Sequence, residues 1–443
     1  MKNIRSTVEK YRELILAAER FIWAHPETGY KEVETSGYLA ERFRELGYEV
    51  TLAEGITGFY TVVDTGREGP EVLVLGELDS ILCPTHRDAD PVTGAVHSCG
   101  HNAQCAALLG IAAALREPEI LAGLSGRMRL CAVPAEELLE IGYRTELRAA
   151  GKIKYFGGKS EFLSRGYFDG VDLALMVHTD QGFSVLGGSV GCIAKSVIYK
   201  GVASHAGCSP ENGRNALYAA SCGLGAVNAL RETFRDSDHI RVHPIITHGG
   251  DMVNAIPETV TVESYVRGAS VEAIARENAK VNRALIGAAL SLGTNVEIID
   301  IPGYAPLKND VGMIDVARDA LAAIYPDEPF GYKVGAVSTG STDMGDLSCI
   351  MPVVHPYCGG ARGQGHGNDY EIYDPEAACV MSAAWQVGML TLLLGNGAER
   401  AKRILAEFKP LFESKEAFLA HQDSLNSSGD RIIYSDGRAE IIF

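Results

Sequence analysis

The chain lacks the sequence features of several protein classes. Its 443 residues include 57 acidic side chains against 40 lysines and arginines, a formal net charge of −17. A basic surface for nucleic acid or for an anionic membrane is therefore not expected. No apolar run approaches the ~18 residues of a membrane span. Met1–Arg5 leads into a charged helix pattern instead of the apolar core of a signal peptide. These absences predict a soluble protein with neither a nucleic-acid nor a membrane partner.

The sequence also lacks the cysteine patterns of disulfide-rich domains and of C-x-x-C metal sites. Ten cysteines are spread along the chain, without a dense framework and without a C-x-x-C pair. Such usage is typical of a reducing compartment and not of a secreted, disulfide-linked domain. Internal repeats and low-complexity segments are absent as well. We therefore expect a cytoplasmic globular protein.

Alternating strand and helix patterns occupy the first part of the chain. Strands are predicted at Phe59–Val63, Val72–Leu75, Met128–Val133 and Leu173–Val177, with helix patterns such as 102–116 between them. This alternation predicts an α/β fold in which helices flank a mixed, mostly parallel sheet.

Residues 189–306 have a different pattern. They read as strand, helix, strand, strand, helix, strand, a split β-α-β arrangement that predicts a two-layer α+β (ferredoxin-like) domain. The α/β pattern resumes after Pro306. The predicted organisation is therefore a discontinuous first domain, 1–188 and 307–443, interrupted by an inserted domain, 189–306.

Charged and ligating side chains follow three successive predicted strands. Asp79 follows the strand at Val72–Leu75, the Glu136–Glu137 pair follows the next, and His178 follows the third. Ligand sites in such sheets lie beyond the carboxyl ends of the strands. Singly, these residues could be caps or solvated turns, but their joint placement favours a site.

A possible metal half-site lies at Cys99-Gly100-His101, just before a long apolar helix pattern. A thiolate and an imidazole on one turn suit a transition metal, although an isolated Cys-x-His is more often a buried thiol and a surface histidine. A dinuclear hydrolytic site needs further ligands and a carboxylate base. Glu137 and His178 can supply two of these ligands.

The remaining metal ligand is predicted to be a histidine from the C-terminal part of the chain. His366, in the glycine-rich loop 363–368, is the preferred candidate, and His355 competes because it also ends a strand. His355 is then placed nearby as a substrate-binding group. Glu136 remains as the general base, because consecutive side chains at a strand end point in different directions.

Several motifs together carry a family resemblance. They are His25-Pro26-Glu27-Thr28-Gly29, Gly76-Glu77-Leu78-Asp79-Ser80, His97-Ser98-Cys99-Gly100-His101-Asn102, Pro134-Ala135-Glu136-Glu137, Ala203-Ser204-His205-Ala206, Asn254-Ala255-Ile256-Pro257 and Gly340-Ser341-Thr342-Asp343-Met344-Gly345-Asp346. With them the chain resembles the aminoacylase/carboxypeptidase-type dinuclear metallopeptidases, in particular the amidohydrolase branch that contains the B subunit of p-aminobenzoyl-glutamate hydrolase.

This resemblance implies a catalytic domain interrupted by a lid domain through which two copies form a homodimer. It implies two divalent metal ions, Zn²⁺ or Mn²⁺, with Cys99 as the bridging ligand. The implied metal ligands are Cys99, His101, Glu137, His178 and His366. The implied roles of the other residues are general base for Glu136, orientation of a ligating imidazole for Asp79, oxyanion stabilisation for His205, and binding of a substrate carboxylate for Asn254 and Arg267.

The expected function is metal-dependent hydrolysis of an amide bond in a small carboxylate-bearing substrate. Such substrates include N-acyl or aminoacyl amino acids, dipeptides and aryl amides. Two alternatives stay open: hydrolytic deamination of a small carboxylated aromatic, and a catalytically silent binding protein on the same fold. The polar insertion after Glu137 and the tail after about residue 420 depart from the family pattern, so the identity of the substrate does not carry over.

Overall fold

A computed structural model describes residues 3–443 of the chain. The chain divides into two compact units. The first comprises Met1–Gly188, Leu307–Val337 and Thr342–Lys415, and the second comprises Ser189–Pro306, Ser338–Ser341 and Glu416–Phe443. The predicted assignment of all of 307–443 to the first domain is therefore corrected for 338–341 and for the tail from Glu416.

Helices occupy most of the segments where apolar residues recur with helical spacing. They are α1 (Ile4–Glu9), α2 (Arg12–Trp23), α3 (Val33–Glu45), α4 (His101–Ala114), α5 (Pro118–Leu121), α6 (Ile141–Ala149), α7 (Gly158–Ser164), α8 (Ala216–Leu230), α9 (Val271–Ser291), α10 (Val311–Ile324), α11 (Met344–Ser348), α12 (Ser382–Leu394), α13 (Glu399–Glu407) and α14 (Lys415–Leu425).

The strands are mostly short outside the two main sheets. They are β1 (Thr51–Leu52), β2 (Phe59–Asp64), β3 (Glu71–Glu77), β4 (Ile81–Leu82), β5 (Ala95–Val96), β6 (Arg127–Val133), β7 (Leu173–Leu175), β8 (His178–Thr179), β9 (Ser184–Ser189), β10 (Gly191–Lys200), β11 (Arg241–Val242), β12 (Ile245–His248), β13 (Thr259–Gly268), β14 (Asn295–Pro302), β15 (Leu307–Lys308), β16 (Gly331–Ser338), β17 (Val353–Val354), β18 (Tyr357–Cys358), β19 (Ala361–Arg362), β20 (Glu371–Ile372), β21 (Ile432–Ser435) and β22 (Arg438–Ile441).

The first unit is built on a mixed sheet in the order β1-β2-β6-β3-β7-β17. β6, β3, β7 and β17 run parallel, and β1 and β2 add an antiparallel edge. All seven residues of β3 are buried, as expected for a central parallel strand covered on both faces. The carboxyl ends of β3 and β6 meet at one edge of the sheet, which brings Asp79 and the Glu136–Glu137 pair together. The structure confirms the predicted α/β class.

Helix α4 lies at the centre of the first unit. Every one of its residues from His101 to Ala114 is buried, which explains its apolar character on all sides. It packs against β3, α2 and α12. Because α4 starts at His101, its fixed position also fixes the Cys99–His101 turn.

The second unit has two layers. β10 pairs antiparallel with β13 on one side and with β14 on the other, and β11 and β12 extend the sheet beyond β13. α8 and α9 pack against each other and against this sheet. The order β10-α8-β12-β13-α9-β14 is the split β-α-β arrangement that the strand and helix patterns predict.

One long apolar helix of the first unit is a core helix. Within residues 3–443, the helical stretch Glu376–Leu394 is long and apolar enough to span a membrane, with a mean hydropathy of 1.7. Of its apolar window, 78 % is buried inside the protein. A helix that is covered by protein on most of its surface can have the same apolar composition as a membrane span. The burial of this stretch therefore identifies it as a core helix.

Candidate metal centre

The Cys99–His101 turn depends on the glycine between its two ligating residues. Gly100 has φ 83° and precedes α4, so the backbone adopts the left-handed conformation that glycine tolerates best. A Cβ atom at this position would also overlap the hydroxyls of Thr179 and Tyr370. Gly100 therefore allows Cys99 and His101 to leave one tight turn in the same direction.

Two groups of ligating atoms share the Cys99 thiol. The first contains Cys99, His101 and His178, and the second contains Cys99, Glu137 and His366. Within each group the ligating atoms lie within 4.8 Å of one another. Cys99 Sγ is 3.4 Å from His178 Nε2, and His366 Nε2 is 2.9 Å from Glu137 Oε1. All five sequence-predicted ligands thus come together, with the thiol common to both groups.

Two of the imidazoles are held with Nε2 directed at the cluster. Nδ1 of His101 lies 2.8 Å from the carbonyl oxygen of Asp79, and Nδ1 of His178 lies 2.9 Å from that of Thr179. A carbonyl only accepts, so each Nδ1 carries a proton, and the neutral form of each ring would leave the Nε2 lone pair free for a metal. This is the tautomer that a ligating histidine needs.

The cluster also passes a simple test for metal binding. His101 Nε2 is buried and has no hydrogen-bond partner within residues 3–443 by distance and angle, although Glu77 Oε2 lies 3.2 Å away. Buried polar atoms in native structures rarely lack a partner. One thiol, three imidazoles and a carboxylate are donors suited to Zn²⁺ or Mn²⁺. The residues therefore fit a divalent metal pair.

The charges of the cluster favour the ligating forms of Cys99 and Glu137. Burial raises the pKa of the Cys99 thiol and Glu137 raises it further, but His101 and His178 outweigh both and lower that pKa to about 6. Hydrogen bonding to Cys99 and Glu137 raises the pKa of His366 to about 11. Without a metal, His366 thus holds a proton that a metal cation would replace.

The surroundings of Glu136 raise its pKa, whereas those of Glu137 lower the pKa of that carboxyl. Burial raises the pKa of Glu136 well above its usual range, and the charges of Glu77, Glu137 and Asp343 raise it further. Its side chain joins a third group of close ligating atoms with Glu77 and His101. A carboxyl whose pKa is raised beside a group of candidate metal ligands is a candidate for proton transfer.

Asp79 is completely buried and acts on both sides of the cluster. Its Oδ2 accepts the backbone N–H of Glu137 at 2.8 Å, and its Oδ1 lies 3.4 Å from His101 Nδ1. It therefore contacts the His101 imidazole and the backbone of Glu137, two of the candidate ligands.

His355 lies beside the cluster and not in it. It is 3 % exposed, and its ring centroid is 5.7 Å from that of His178. Burial, followed by the charge of His178, lowers the pKa of His355 to about 3, so the imidazole is neutral. Of the two candidate histidines, His366 is the one whose ligating nitrogen lies in the cluster, with Cys99 and Glu137.

The other predicted site residues lie in the second unit. His205 is exposed, and its Nδ1 accepts the backbone N–H groups of Gly207 and Cys208, both at 3.1 Å, which leaves the proton on Nε2. Ala206 N–H donates to the carbonyl oxygen of Asn254, so His205 and Asn254 lie on adjacent segments. Arg267 stands on β13 and donates to Ser341 Oγ at 2.8 Å.

Sequence reasoning missed a buried ion triad next to the cluster. The Lys159 ammonium contacts Glu77 Oε1 at 2.5 Å and also binds the carboxylate of Asp343. Glu77 Oε2 in turn lies 3.2 Å from His101 Nε2. Glu77 and Asp343 stand in two of the family motifs, but nothing local to Lys159 reveals that it reaches them.

A cavity of about 300 Å³ opens beside the ligating residues. Its lining includes Cys99, His178 and His366, together with Asp180 and Gln181. Ligating atoms are therefore accessible from a space large enough for a small substrate group.

Comparison with known proteins identifies the family. The sequence model of peptidase family M20/M25/M40 matches residues 79–390. This chain belongs to that family. The match includes every predicted ligand and the Glu136 base, and membership makes the protein a metal-dependent amide hydrolase.

Individual relatives agree with this assignment. The chain is 29 % identical over 368 residues to the Xaa-Arg dipeptidase of Mus musculus, covering 79 % of this chain and 77 % of the relative. It is 28 % identical over 285 residues to the B subunit of the p-aminobenzoyl-glutamate hydrolase of Escherichia coli, covering 62 % and 55 %. The fold resembles a dinuclear metal-binding peptidase of the M20 family from Bacillus subtilis, with a TM-score of 0.64, 20 % identity, and coverage of 87 % and 99 %.

Proposed function

We propose that this M20 enzyme hydrolyses the amide bond of a small carboxylate-bearing substrate at a two-metal centre formed by Cys99, His101, Glu137, His178 and His366. The single observation that supports it best is the sharing of the Cys99 thiol by two groups of ligating atoms. One shared anion between two cation positions is the arrangement that a co-catalytic pair requires. The metals proposed are Zn²⁺ or Mn²⁺.

The bound metals would lower the pKa of a coordinated water and polarise the scissile carbonyl. Glu136 takes a proton from the attacking water and passes it to the leaving nitrogen, a role supported by its raised pKa beside the ligands. Asp79 keeps His101 in the ligating tautomer. In this proposal His205 donates from Nε2 to the developing oxyanion.

Substrate recognition is proposed to rest on the second unit. Arg267 binds a substrate carboxylate, supported by the bidentate geometry of guanidinium, and Asn254 assists. His355, whose ring lies 5.7 Å from that of His178, is proposed as a further substrate-binding group. The substrate classes proposed are dipeptides, N-acyl amino acids and aryl amides such as p-aminobenzoyl-glutamate, in line with the names of the relatives.

We further propose a cytoplasmic homodimer that associates through the second unit. All ten cysteines are free in the structure, which is compatible with a reducing compartment. The outer side of β12 offers an open sheet edge with exposed isoleucines for a second copy.

The test is a substrate panel assayed with protein purified without chelator. Metal content is measured first, and then dipeptides, N-acyl amino acids and p-aminobenzoyl-glutamate are assayed with added Zn²⁺ or Mn²⁺ by the released amine. We expect about two metal ions per chain, as a dinuclear site requires, and turnover of at least one panel class. Release of ammonia alone would instead indicate a deaminase. An empty site combined with no turnover would indicate a silent binding protein.

A further inference from the structure

The turn that carries the two glutamates has an unusual backbone. Ala135, directly before Glu136, has φ 55°, in the left-handed region that alanine rarely adopts. Such a conformation persists only where surrounding contacts impose it. The contacts on this turn therefore set the directions of the Glu136 and Glu137 side chains.

The segment between Leu138 and Lys159 supplies two of these contacts. The buried guanidinium of Arg144, on α6, donates to the carbonyl oxygen of Glu137 and, at 2.7 Å, to that of Phe156. At the end of the segment, the backbone N–H of Gly158 donates to the carbonyl oxygen of Ala135 at 3.1 Å. A Cβ on Gly158 would overlap the carbonyl oxygen of Pro134. The polar insertion thus wraps back onto the turn that it follows.

The segment is itself anchored to the rest of the first unit. Glu140, just before α6, accepts from the Thr28 hydroxyl at 2.5 Å and from Lys31 Nζ at 2.7 Å. Gly29 lies against Arg144, since a Cβ there would approach the Arg144 guanidinium and the Cα of Ala135. At the far end, the backbone N–H of Lys159 donates to Asp343 Oδ2 at 3.0 Å.

We propose that residues 138–159 form a clamp that positions the catalytic glutamates, with Arg144 as its positioning residue. The proposal rests on the proposed function for the roles of Glu136 and Glu137. The contact of Arg144 with the two glutamates is made through the backbone carbonyl of Glu137 and not through either carboxylate. The insertion therefore supports the Glu136–Glu137 turn through backbone hydrogen bonds on one side of the site.

The test compares Arg144→Met with Arg165→Met. Arg165 is the control, because it also donates to backbone carbonyls, those of Glu54 and Lys152, and neither of these belongs to the Glu136–Glu137 turn. For each variant we would measure kcat and KM on the best substrate, metal affinity by chelator competition, and the melting temperature. Arg144→Lys is a milder disturbance of the same contact, and Gly29→Ala disturbs it from the other side, because the added Cβ would meet the Arg144 guanidinium and the Cα of Ala135.

For Arg144→Met we expect kcat to fall by about 10- to 100-fold with little change in KM, because small displacements of a catalytic group cost that much. Metal affinity should fall by about 10- to 100-fold, since Glu137 is misplaced. Arg144→Lys should recover part of both losses. Arg165→Met should leave kcat, KM and metal affinity at their wild-type values, and its only expected effect is a lower melting temperature.

Several outcomes would overturn the clamp. Loss of melting temperature in Arg144→Met without a change in kcat or metal affinity would make Arg144 a purely structural residue. If Arg144→Met does not fold, wild-type values for Arg144→Lys and Gly29→Ala would have the same meaning. If the wild type hydrolyses nothing in the panel, the proposed function fails, and metal affinity alone still decides whether Arg144 positions Glu137.

Discussion

Two neighbouring glutamates show how one residue type can hold two roles in this site. Glu137 contacts His366 and lies close to Cys99, and these contacts lower its pKa against the effect of burial. Glu136 lies near Glu77 and Asp343, and its pKa is raised. One carboxylate is thus prepared for a cation and the other for a proton.

Replacement of Glu136 by glutamine should separate these roles. Glu136→Gln keeps the size of the side chain but cannot take a proton, so we expect kcat to fall by about 10²- to 10⁴-fold while the metal content stays at the wild-type level. Cys99→Ser is the comparison, because losing the shared thiolate should lower the metal content itself. Unchanged kcat in Glu136→Gln, or loss of its metal, would contradict the assignment.

A further buried glutamate, Glu32, predicts that the stability of the fold depends on pH. Glu32 is completely buried and accepts from the backbone N–H of Ala135 at 2.8 Å and from the Thr57 hydroxyl at 2.6 Å. Burial, followed by the charge of Asp79, raises its pKa from 4.5 to about 8. Between these two values the folded chain binds more protons than the unfolded chain at this group, so its contribution to the free energy of unfolding falls as the pH rises.

Glu32→Gln removes this titration and keeps an acceptor for Ala135. We expect the melting temperature of the variant to rise relative to that of wild type between about pH 4.5 and pH 8, the window that the two pKa values define. Thermal melting of both proteins across this range is the measurement. A constant difference between the two melting temperatures would show that Glu32 does not titrate in that window.

Residues were predictable from the sequence where their spacing in a motif carries the chemistry. Cys99, His101 and Glu137 stand in short motifs with the geometry of a ligand turn or strand end. Arg144 and Lys159 were not predictable, because each acts through partners that only the folded chain brings close, such as the Glu137 carbonyl and Asp343.

At the scale of elements, strands and helices were predictable where apolar residues recur. The charged helix pattern that follows Met1–Arg5 forms two helices in the structure, since α1 ends at Glu9 and α2 starts at Arg12. Helices α6 and α7 were missed, because their burial depends on polar and charged side chains such as Arg144 and Lys159 instead of an apolar stripe.

A buried ion pair couples elements of the second unit. Lys195 on β10 binds the Asp300 carboxylate on β14, and Asn278 and Asn282 of α9 donate to Asp300 Oδ2 at 2.9 and 2.8 Å. Lys195 and Asp300 are each 3 % exposed. Lys195→Met would leave a buried carboxylate without its cation, which costs about 3–5 kcal/mol.

Urea unfolding would measure this loss. The double variant Lys195→Met/Asp300→Asn removes the unpaired charge and should recover a large part of the stability. Arg318→Ala is the control, because its pair with Asp315 on α10 is solvent-exposed and worth about 0–1 kcal/mol. Equal losses in Lys195→Met and Arg318→Ala would show that the buried pair does not couple β10 to β14.

At the scale of the whole molecule, the C-terminal tail changes one edge of the second sheet. The hairpin of β21 and β22 around Asp436-Gly437 was predictable from its turn residues. Its attachment was not, because it depends on long-range backbone pairing of Ser427 with Asp300 and of Asp430 with Glu297 on β14. The tail thereby covers the β14 edge.

The opposite edge of that sheet is open. Among the described strands β12 pairs only with β13, and all four of its residues are exposed, including Ile245 at 51 % and Ile246 at 38 %. An exposed edge with apolar side chains is a template for pairing with another chain. Since the other edge is covered by the tail, the proposed dimer should use β12.

A charge on this edge should therefore dissociate the dimer. We expect wild type to elute as a dimer and Ile245→Asp/Ile246→Lys to elute as a monomer in size-exclusion chromatography with light scattering, because charged side chains on an edge strand oppose pairing. Val311→Asp is the control, since Val311 is 64 % exposed on α10 of the first unit. A monomeric wild type, or a dimer that survives the double substitution, would exclude pairing through β12; dissociation by Val311→Asp would move the interface to the first unit.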